Sequence, residues 1–119
     1  MQVTIYHNPR CSKSRQTLQL LRDRGIEPQI VDYLRTPPSV AEMAELLDLM
    51  GLEPRAAMRR KEPPYAAGQL GDAALGRDAL VAAMVAEPVL IERPIVLVDR
   101  DGARSARLGR PPEAVLEIL

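Results

Sequence analysis

The pattern of apolar and polar residues predicts mixed strands and helices at the start of the chain. An apolar run at 3–6 predicts a strand, and Leu18 and Leu21 at helical spacing predict a helix over 12–24 that ends at Gly25. Residues 29–33 predict a second strand. A strand, a helix and a strand in this order form a βαβ unit, which implies parallel strands with a right-handed crossover.

The middle of the chain is predicted to be entirely helical. Ser39 and Glu42 form a capping-box pattern, and apolar residues then recur at helical spacing until Gly51. A short helix is predicted over 54–60, a loop over 61–72 and another helix over 78–86. We therefore expect a helical insertion at about 37–90.

The end of the chain returns to strands. The continuous apolar run 95–98 predicts a strand buried on both faces, and Asp101-Gly102 predicts a hairpin that pairs it antiparallel with 103–107. Pro111-Pro112 predicts the start of a last helix. The order is β-α-β, helical insertion, β-β-α. It predicts one α/β domain over 1–119, with a four-stranded mixed sheet of the thioredoxin and glutaredoxin type and helices on both faces.

Composition agrees with one small globular domain. The chain has 119 residues, of which 46% are apolar, and a formal net charge of zero, so nothing in its charge predicts binding to nucleic acid or to an anionic membrane. No apolar stretch has the roughly 20 residues that span a bilayer, and no signal peptide is recognisable. We expect a cytoplasmic protein whose thiol is reduced.

Cys11 is the only cysteine and lies where the first strand gives way to the first helix. Unpaired N–H groups and partial positive charge at a helix start stabilise a thiolate, and Arg10, Lys13 and Arg15 add positive charge. The same N–H groups bind oxyanions. The alternative is a buried structural cysteine, but the polar flanking residues favour a nucleophile.

A nucleophilic Cys11 would need a second thiol from another molecule. Ser14 stands where a dithiol enzyme has its second cysteine, so no disulfide can form within the chain. His7 has two interpretations: a general base for Cys11, or a structural neighbour, which we favour because a histidine at a strand end need not point at the sulfur. With a single cysteine and a single histidine, the composition predicts no cysteine-rich metal site.

Nearly all the basic residues are arginines, which bind oxyanions with a planar fork. Most single arginines are solvated surface residues. Arg93 and Arg110 are different because each precedes a proline at the edge of an element, which restricts its backbone to extended conformations. Pro94 is a candidate for a cis proline.

Five stretches together are similar to one known family. They are IYHNPRCSKSR, YLRTPPS, MRRKEPPY, ERPIVLV and GRPPEAVLEIL, and they follow one another across essentially the whole chain. The sequence resembles the bacterial glutaredoxin-dependent arsenate reductases, an ArsC-like family with the thioredoxin fold, and within it a shorter subgroup.

The resemblance implies a site and a reaction. Cys11 would attack arsenate, and three arginines would bind the oxyanion: Arg59, Arg93 and Arg110. Arg55 and Arg60 remain alternatives to Arg59. The residues His7, Ser14 and Arg15 would support the Cys11 thiolate, and Pro94 would be the cis proline of the fold. Arsenate would be reduced to arsenite with glutathione as co-substrate and glutaredoxin as partner, with no bound cofactor and no metal.

Two other functions remain open at this stage. One is a glutathione-linked thiol oxidoreductase of the same fold that acts on a substrate other than arsenate. Ser12-Lys13 motivates it, because the best-studied reductases have Gly-Thr there. The other is a redox-sensing partner of RNA polymerase. Such sensors carry two cysteines in a C-x-x-C motif, and Ser14 in place of the second cysteine argues against this function.

Overall fold

A computed structural model describes all residues, 1–119, as two compact units. The first unit consists of Met1–Thr36 and Arg93–Leu119, and the second consists of Pro37–Glu92. All four strands and Cys11 belong to the first unit. The assignment of residues 1–119 to one domain with an insertion at about 37–90 stays a prediction.

The first unit contains a four-stranded mixed sheet. Its strands are β1 (Gln2–His7), β2 (Gln29–Asp32), β3 (Ile95–Arg100) and β4 (Ala103–Leu108), in the order β2-β1-β3-β4. β1 and β2 are parallel, and β3 pairs antiparallel with both β1 and β4. The predicted βαβ unit, the buried strand at 95–98 and the hairpin at Asp101-Gly102 are confirmed.

The register of the sheet brings apolar residues together on one face. Val3 lies opposite Val98 and Ile5 opposite Val96, and successive side chains of a strand point to opposite faces. Helix α1 (Ser12–Asp23) covers this face with its buried apolar stripe, together with a 3-10 helix at Pro112–Ile118. The core cluster comprises Val3, Ile5, Leu18, Leu21, Val96, Val98, Val115 and Ile118.

The second unit consists of helices α2 (Val40–Met50), α3 (Pro63–Ala67) and α4 (Arg77–Ala86), with 3-10 turns at Pro54–Ala57 and Pro88–Leu90. The Ser39 half of the predicted capping box is confirmed, because Ser39 Oγ accepts the Glu42 N–H at 3.1 Å; the Glu42 carboxylate accepts from the Ser39 hydroxyl and not from the Ser39 N–H. α2 packs against α4 through buried residues of both helices: Met43, Leu46, Leu47, Leu80, Val81 and Met84. None of the helices is both long enough and apolar enough to cross a membrane.

One secondary-structure prediction was wrong, and two of the predicted helices are of the 3-10 type, at Pro54–Ala57 and at Pro112–Ile118. The stretch 61–72, predicted as a loop, contains α3, because Pro63 and Pro64 fit the first turn of a helix, where no N–H bond is needed. The last element, predicted as a helix without further distinction, is a 3-10 helix of 7 residues. The hydrogen bonds of a 3-10 helix reach three residues along the chain and not four.

Candidate active site

Cys11 is presented by a tight turn between β1 and α1. Its N–H donates to the Asn8 carbonyl at 3.0 Å, and the Asn8 side-chain oxygen accepts the Arg10 N–H at 3.0 Å. Arg15, one turn into α1, donates from Nη1 to the Pro9 carbonyl at 3.0 Å. Cys11 itself is the residue before the first helical residue, with extended φ −92° and ψ 123°. The turn therefore places the thiol at the N-terminus of a 12-residue helix.

The surroundings of the sulfur favour the thiolate. Burial raises the Cys11 pKa, but this effect is outweighed by the backbone N–H of Ser14, the charge of Arg93, the N–H of Lys13 and the charge of Arg110. The net pKa lies below the ordinary value of 9.0, in the direction that the sequence predicted. The nearby side chains Arg10, Lys13 and Arg15 were expected to supply the charge, yet the charges that act on the sulfur come from the far end of the chain.

The lowered pKa predicts the pH profile of thiol alkylation. We expect the alkylation rate of the folded protein by iodoacetamide to rise at lower pH than that of the same protein unfolded in urea, because the thiolate is the reactive form. Folding stability should also increase as pH rises from the folded toward the unfolded pKa, since the unfolded thiol holds its proton longer. Coincident alkylation profiles of the two states would contradict this assignment.

Ser14 and His7 form a buried pair beneath the turn. Ser14 is fully buried, and its Oγ lies 2.6 Å from His7 Nδ1 and accepts the Asn8 N–H at 3.0 Å. Thus the Ser14 hydroxyl bonds to residues at the end of β1, while the Ser14 N–H forms a hydrogen bond with the Cys11 sulfur. This geometry agrees with the structural interpretation of His7, because its Nδ1 is directed at Ser14.

The imidazole of His7 favours the neutral form. Burial lowers the His7 pKa from 6.5, the charges of Arg22 and Arg15 lower it further, and only Asp32, the strand neighbour of His7, opposes them. A neutral ring holds one ring proton, so one of its nitrogens accepts a hydrogen bond. The pair with Ser14 can therefore form without a buried positive charge.

His7 is expected to make the protein sensitive to mild acid. Its folded pKa is lowered, so the unfolded chain binds a proton more readily, and stability should fall as pH drops below 6.5 toward the folded pKa. Urea unfolding at about pH 7.5 and about pH 5.5 measures this loss. The variant His7→Gln should lose less stability over the same interval. An equal loss in wild type and variant would show that other groups cause the acid sensitivity.

Arg93 and Arg110 lie near the same end of the strands as Cys11. Tyr6 near the end of β1 pairs with Ile95, and Ile95 pairs with Leu108 at the end of β4. The residues that flank these ends therefore meet, and Arg110 Nη1 donates to the Arg93 carbonyl at 3.3 Å. The predicted cis bond before Pro94 is confirmed, and the bond between Arg110 and Pro111 is also cis.

The arginines of the second unit have different partners. Arg55 is held by backbone carbonyls, donating to Leu70 at 3.0 Å and to Asp72 at 2.7 Å. Arg60 donates to the Arg55 carbonyl at 3.2 Å. Arg59 is half-buried and pairs with the Glu62 carboxylate at 2.7 Å. The substrate role of Arg59 stays a prediction.

Two residues near the site were not assigned to it from the sequence. Gly109 lies between β4 and Arg110, and its N–H donates to the Pro94 carbonyl at 2.9 Å. Thr17 is fully buried in α1 and contacts the position where a Gly109 side chain would begin. The sequence carries no signal for this contact, because it joins residues far apart in the chain.

Fold and site together define a class of protein. A thioredoxin-like α/β unit holds one activated thiol at a helix N-terminus, with two arginines near the sulfur. The family model of the ArsC family matches residues 6–118. The chain belongs to the ArsC family.

Relatives and solved structures agree with this assignment over nearly full length. The chain is 51% identical to the protein YfgD of Escherichia coli K12, covering 99% of this chain and 97% of that one. It is 46% identical to an arsenate reductase of Rhizobium meliloti, covering 100% and 82% of the two chains. The structure of an arsenate reductase from Vibrio cholerae superimposes with a TM-score of 0.93 at 57% identity, covering 100% and 98%.

Proposed function

We propose that this protein is an oxidoreductase that reduces arsenate to arsenite, with Cys11 as nucleophile. The observation that carries the proposal is a thiol at the N-terminus of α1 whose pKa is lowered by the N–H of Ser14, the charge of Arg93, the N–H of Lys13 and the charge of Arg110. An arsenate oxyanion needs such paired positive charge beside the attacking sulfur. The relatives named arsenate reductases, at 41–46% identity, support the choice of substrate.

The first step forms a bond between Cys11 sulfur and arsenic. The thiolate attacks As(V), one arsenic–oxygen bond breaks, and the departing oxygen takes up protons and leaves as water. Arg93 and Arg110 neutralise the remaining arsenate oxygens, which lowers the cost of bringing an anion to a thiolate. The backbone N–H groups of Lys13 and Ser14 stabilise Cys11 as nucleophile and as leaving group.

The electrons must come from other thiols because the chain has one cysteine. Glutathione adds to the arsenic adduct, and a second water leaves. The thiolate of a glutaredoxin then attacks the glutathione sulfur. A disulfide forms, and the electron pair of the sulfur–arsenic bond reduces As(V) to As(III). Water finally displaces Cys11 and releases arsenite. A second glutathione regenerates the glutaredoxin, so two glutathione molecules are oxidised for each arsenate reduced.

Arg59 is proposed as the third arginine that binds the oxyanion. Among the three candidates of the second unit, Arg55 and Arg60 donate to backbone carbonyls, so part of each guanidinium is already used to hold the local backbone. Arg59 is paired with the carboxylate of Glu62, and one oxyanion can exchange for another on the same guanidinium fork. Glutathione is the proposed co-substrate, no bound cofactor is needed, and the thiol chemistry fits a cytoplasmic location.

The function is tested by coupling arsenate reduction to NADPH oxidation through glutathione, glutathione reductase and glutaredoxin. We expect NADPH oxidation that requires arsenate, and arsenite in equal amount. Omitting glutathione or glutaredoxin should stop it, and phosphate should not replace arsenate. Turnover of glutathione mixed disulfides with no arsenate reduction would contradict the proposal and support a thiol oxidoreductase with another substrate.

A further inference from the structure

The contact between α1 and the loop after β4 leaves no room for a side chain at position 109. A Cβ atom on Gly109 would lie 2.5 Å from Thr17 Oγ1, 3.1 Å from Thr17 Cγ2 and 2.8 Å from Pro94 Cγ. Real Cβ atoms essentially never approach other atoms below 3.0 Å. Gly109 does not have a positive φ, so the contact and not the backbone conformation requires glycine.

The groups that crowd Gly109 cannot easily move aside. Thr17 Oγ1 donates to the Lys13 carbonyl at 2.8 Å, so rotation of the β-branched side chain breaks this bond. Pro94 is buried, its ring is rigid, and its carbonyl accepts the Gly109 N–H at 2.9 Å. A larger residue at position 109 must therefore displace the loop away from α1.

The same contact connects the groups that surround the sulfur. Thr17 holds Lys13, whose N–H is directed toward Cys11, and Gly109 is directly followed by Arg110. Pro94 directly follows Arg93, whose carbonyl accepts a hydrogen bond from Arg110. Thus one contact links the first turn of α1 with the two segments that carry the arginines.

We propose that Thr17 and Gly109 are positioning residues, whose close contact sets the distance between the Cys11 helix terminus and the Arg93–Arg110 pair. Neither residue needs to touch the oxyanion. The contact acts on the environment of the Cys11 sulfur. Thr17 acts through its hydrogen bond to Lys13, and Gly109 acts through the adjacent Arg110. Its effect on arsenate turnover rests on the proposed function, whereas its effect on the thiol does not.

The test compares Gly109→Ala, Thr17→Ala and the double variant, with Gly102→Ala as matched control. Gly102 lies at the opposite end of β4, has a φ of +91° and has no atom within 4 Å of its Cβ position. Gly102→Ala should therefore lower stability through backbone strain and leave the thiol unchanged. The readouts are the Cys11 pKa from thiolate absorbance, urea unfolding, and kcat/KM with arsenate.

Gly109→Ala should raise the Cys11 pKa, because Arg110 moves away, and should lower kcat/KM by roughly 10- to 100-fold. The double variant should recover the part of both losses that comes from displacing Arg110 and should behave like Thr17→Ala, because both Thr17 contact atoms are gone and only Pro94 remains close, while the hydroxyl that holds Lys13 is missing in both. An unchanged Cys11 pKa in Gly109→Ala would show that the contact has only a structural role and would overturn the proposal. A double variant no better than Gly109→Ala would also overturn the proposal.

A second pair of variants tests the Thr17 side even if Gly109→Ala does not fold. Thr17→Ser keeps the hydroxyl that holds Lys13, and Thr17→Val keeps the shape without it. We expect Thr17→Val to raise the Cys11 pKa and Thr17→Ser to leave it near that of the wild type. Equal pKa values in the two variants would overturn the role of Thr17. The Cys11 pKa is measured without arsenate. If the wild-type protein did not turn over arsenate, only the proposed function would be refuted, and the positioning role could still be tested by the pKa.

Discussion

Replacement of Cys11 by serine is expected to abolish arsenate-dependent NADPH oxidation, with a loss of at least about 10³-fold. The serine hydroxyl stays protonated at neutral pH, so position 11 no longer offers an anionic nucleophile that the helix N-terminus and the arginines could stabilise. In the last step, water displaces the Cys11 thiolate from arsenic. A serine at position 11 would have to leave as an alkoxide, which is a poorer leaving group. The chain has no other cysteine that could take over.

The control for this variant is a measurement that shows it is still folded. Serine is close to cysteine in size, and the Cys11 backbone bonds to Asn8 and Arg15 do not involve the sulfur. Cys11→Ser should therefore keep the circular dichroism spectrum and unfold at nearly the same urea concentration. A folded Cys11→Ser protein that retains a tenth or more of the wild-type rate would show that the reduction does not pass through this thiol.

Alanine in place of Arg93 or Arg110 is expected to lower kcat/KM for arsenate by roughly 10- to 150-fold. This range follows from a loss of about 1.5–3 kcal/mol for each charge-assisted hydrogen bond. Both variants should also raise the Cys11 pKa, because each removes a positive charge that favours the thiolate. The two losses should not add, since both guanidinium groups act on the same thiolate and are proposed to bind the same oxyanion.

Lysine variants separate charge from geometry at these positions. Arg93→Lys and Arg110→Lys should restore most of the thiolate stabilisation but only part of kcat/KM, because an ammonium group lacks the planar fork. Arg107→Ala is the matched control. Arg107 lies on β4, pairs with Glu117 at 3.1 Å and is not among the charges that act on Cys11. If Arg93→Ala and Arg110→Ala both behave like Arg107→Ala, these arginines do not bind the oxyanion.

Local sequence patterns were sufficient for most of the elements. Helix α1 is recognisable from apolar residues at helical spacing and strand β3 from a continuous apolar run, and the Ser39 cap and the Asp101-Gly102 turn depend on a few adjacent residues. The prediction failed where proline-rich stretches are ambiguous. The pair Pro63-Pro64 begins α3, although the same pair is equally typical of a loop.

The proposed nucleophile was also recognisable in the sequence, but its environment was not. A lone cysteine at a strand-to-helix junction indicates a helix N-terminal thiolate, since this depends only on neighbours along the chain. The adjacent cations Arg10, Lys13 and Arg15 were the expected source of positive charge. The charges that lower the Cys11 pKa belong instead to Arg93 and Arg110, which were marked beforehand only by the proline after each and by the resemblance to a known family.

By itself, the sequence determined the candidate nucleophile, the lack of a second cysteine that could form a disulfide with it and most of the order of strands and helices, because these follow from residue identity, residue count and local periodicity. Only the tertiary structure decided that Arg93 and Arg110 meet near Cys11, because this depends on the register of β1, β3 and β4. It also decided the contact of Thr17 with Gly109. Such contacts depend on how distant segments pack, which no local pattern of residues encodes.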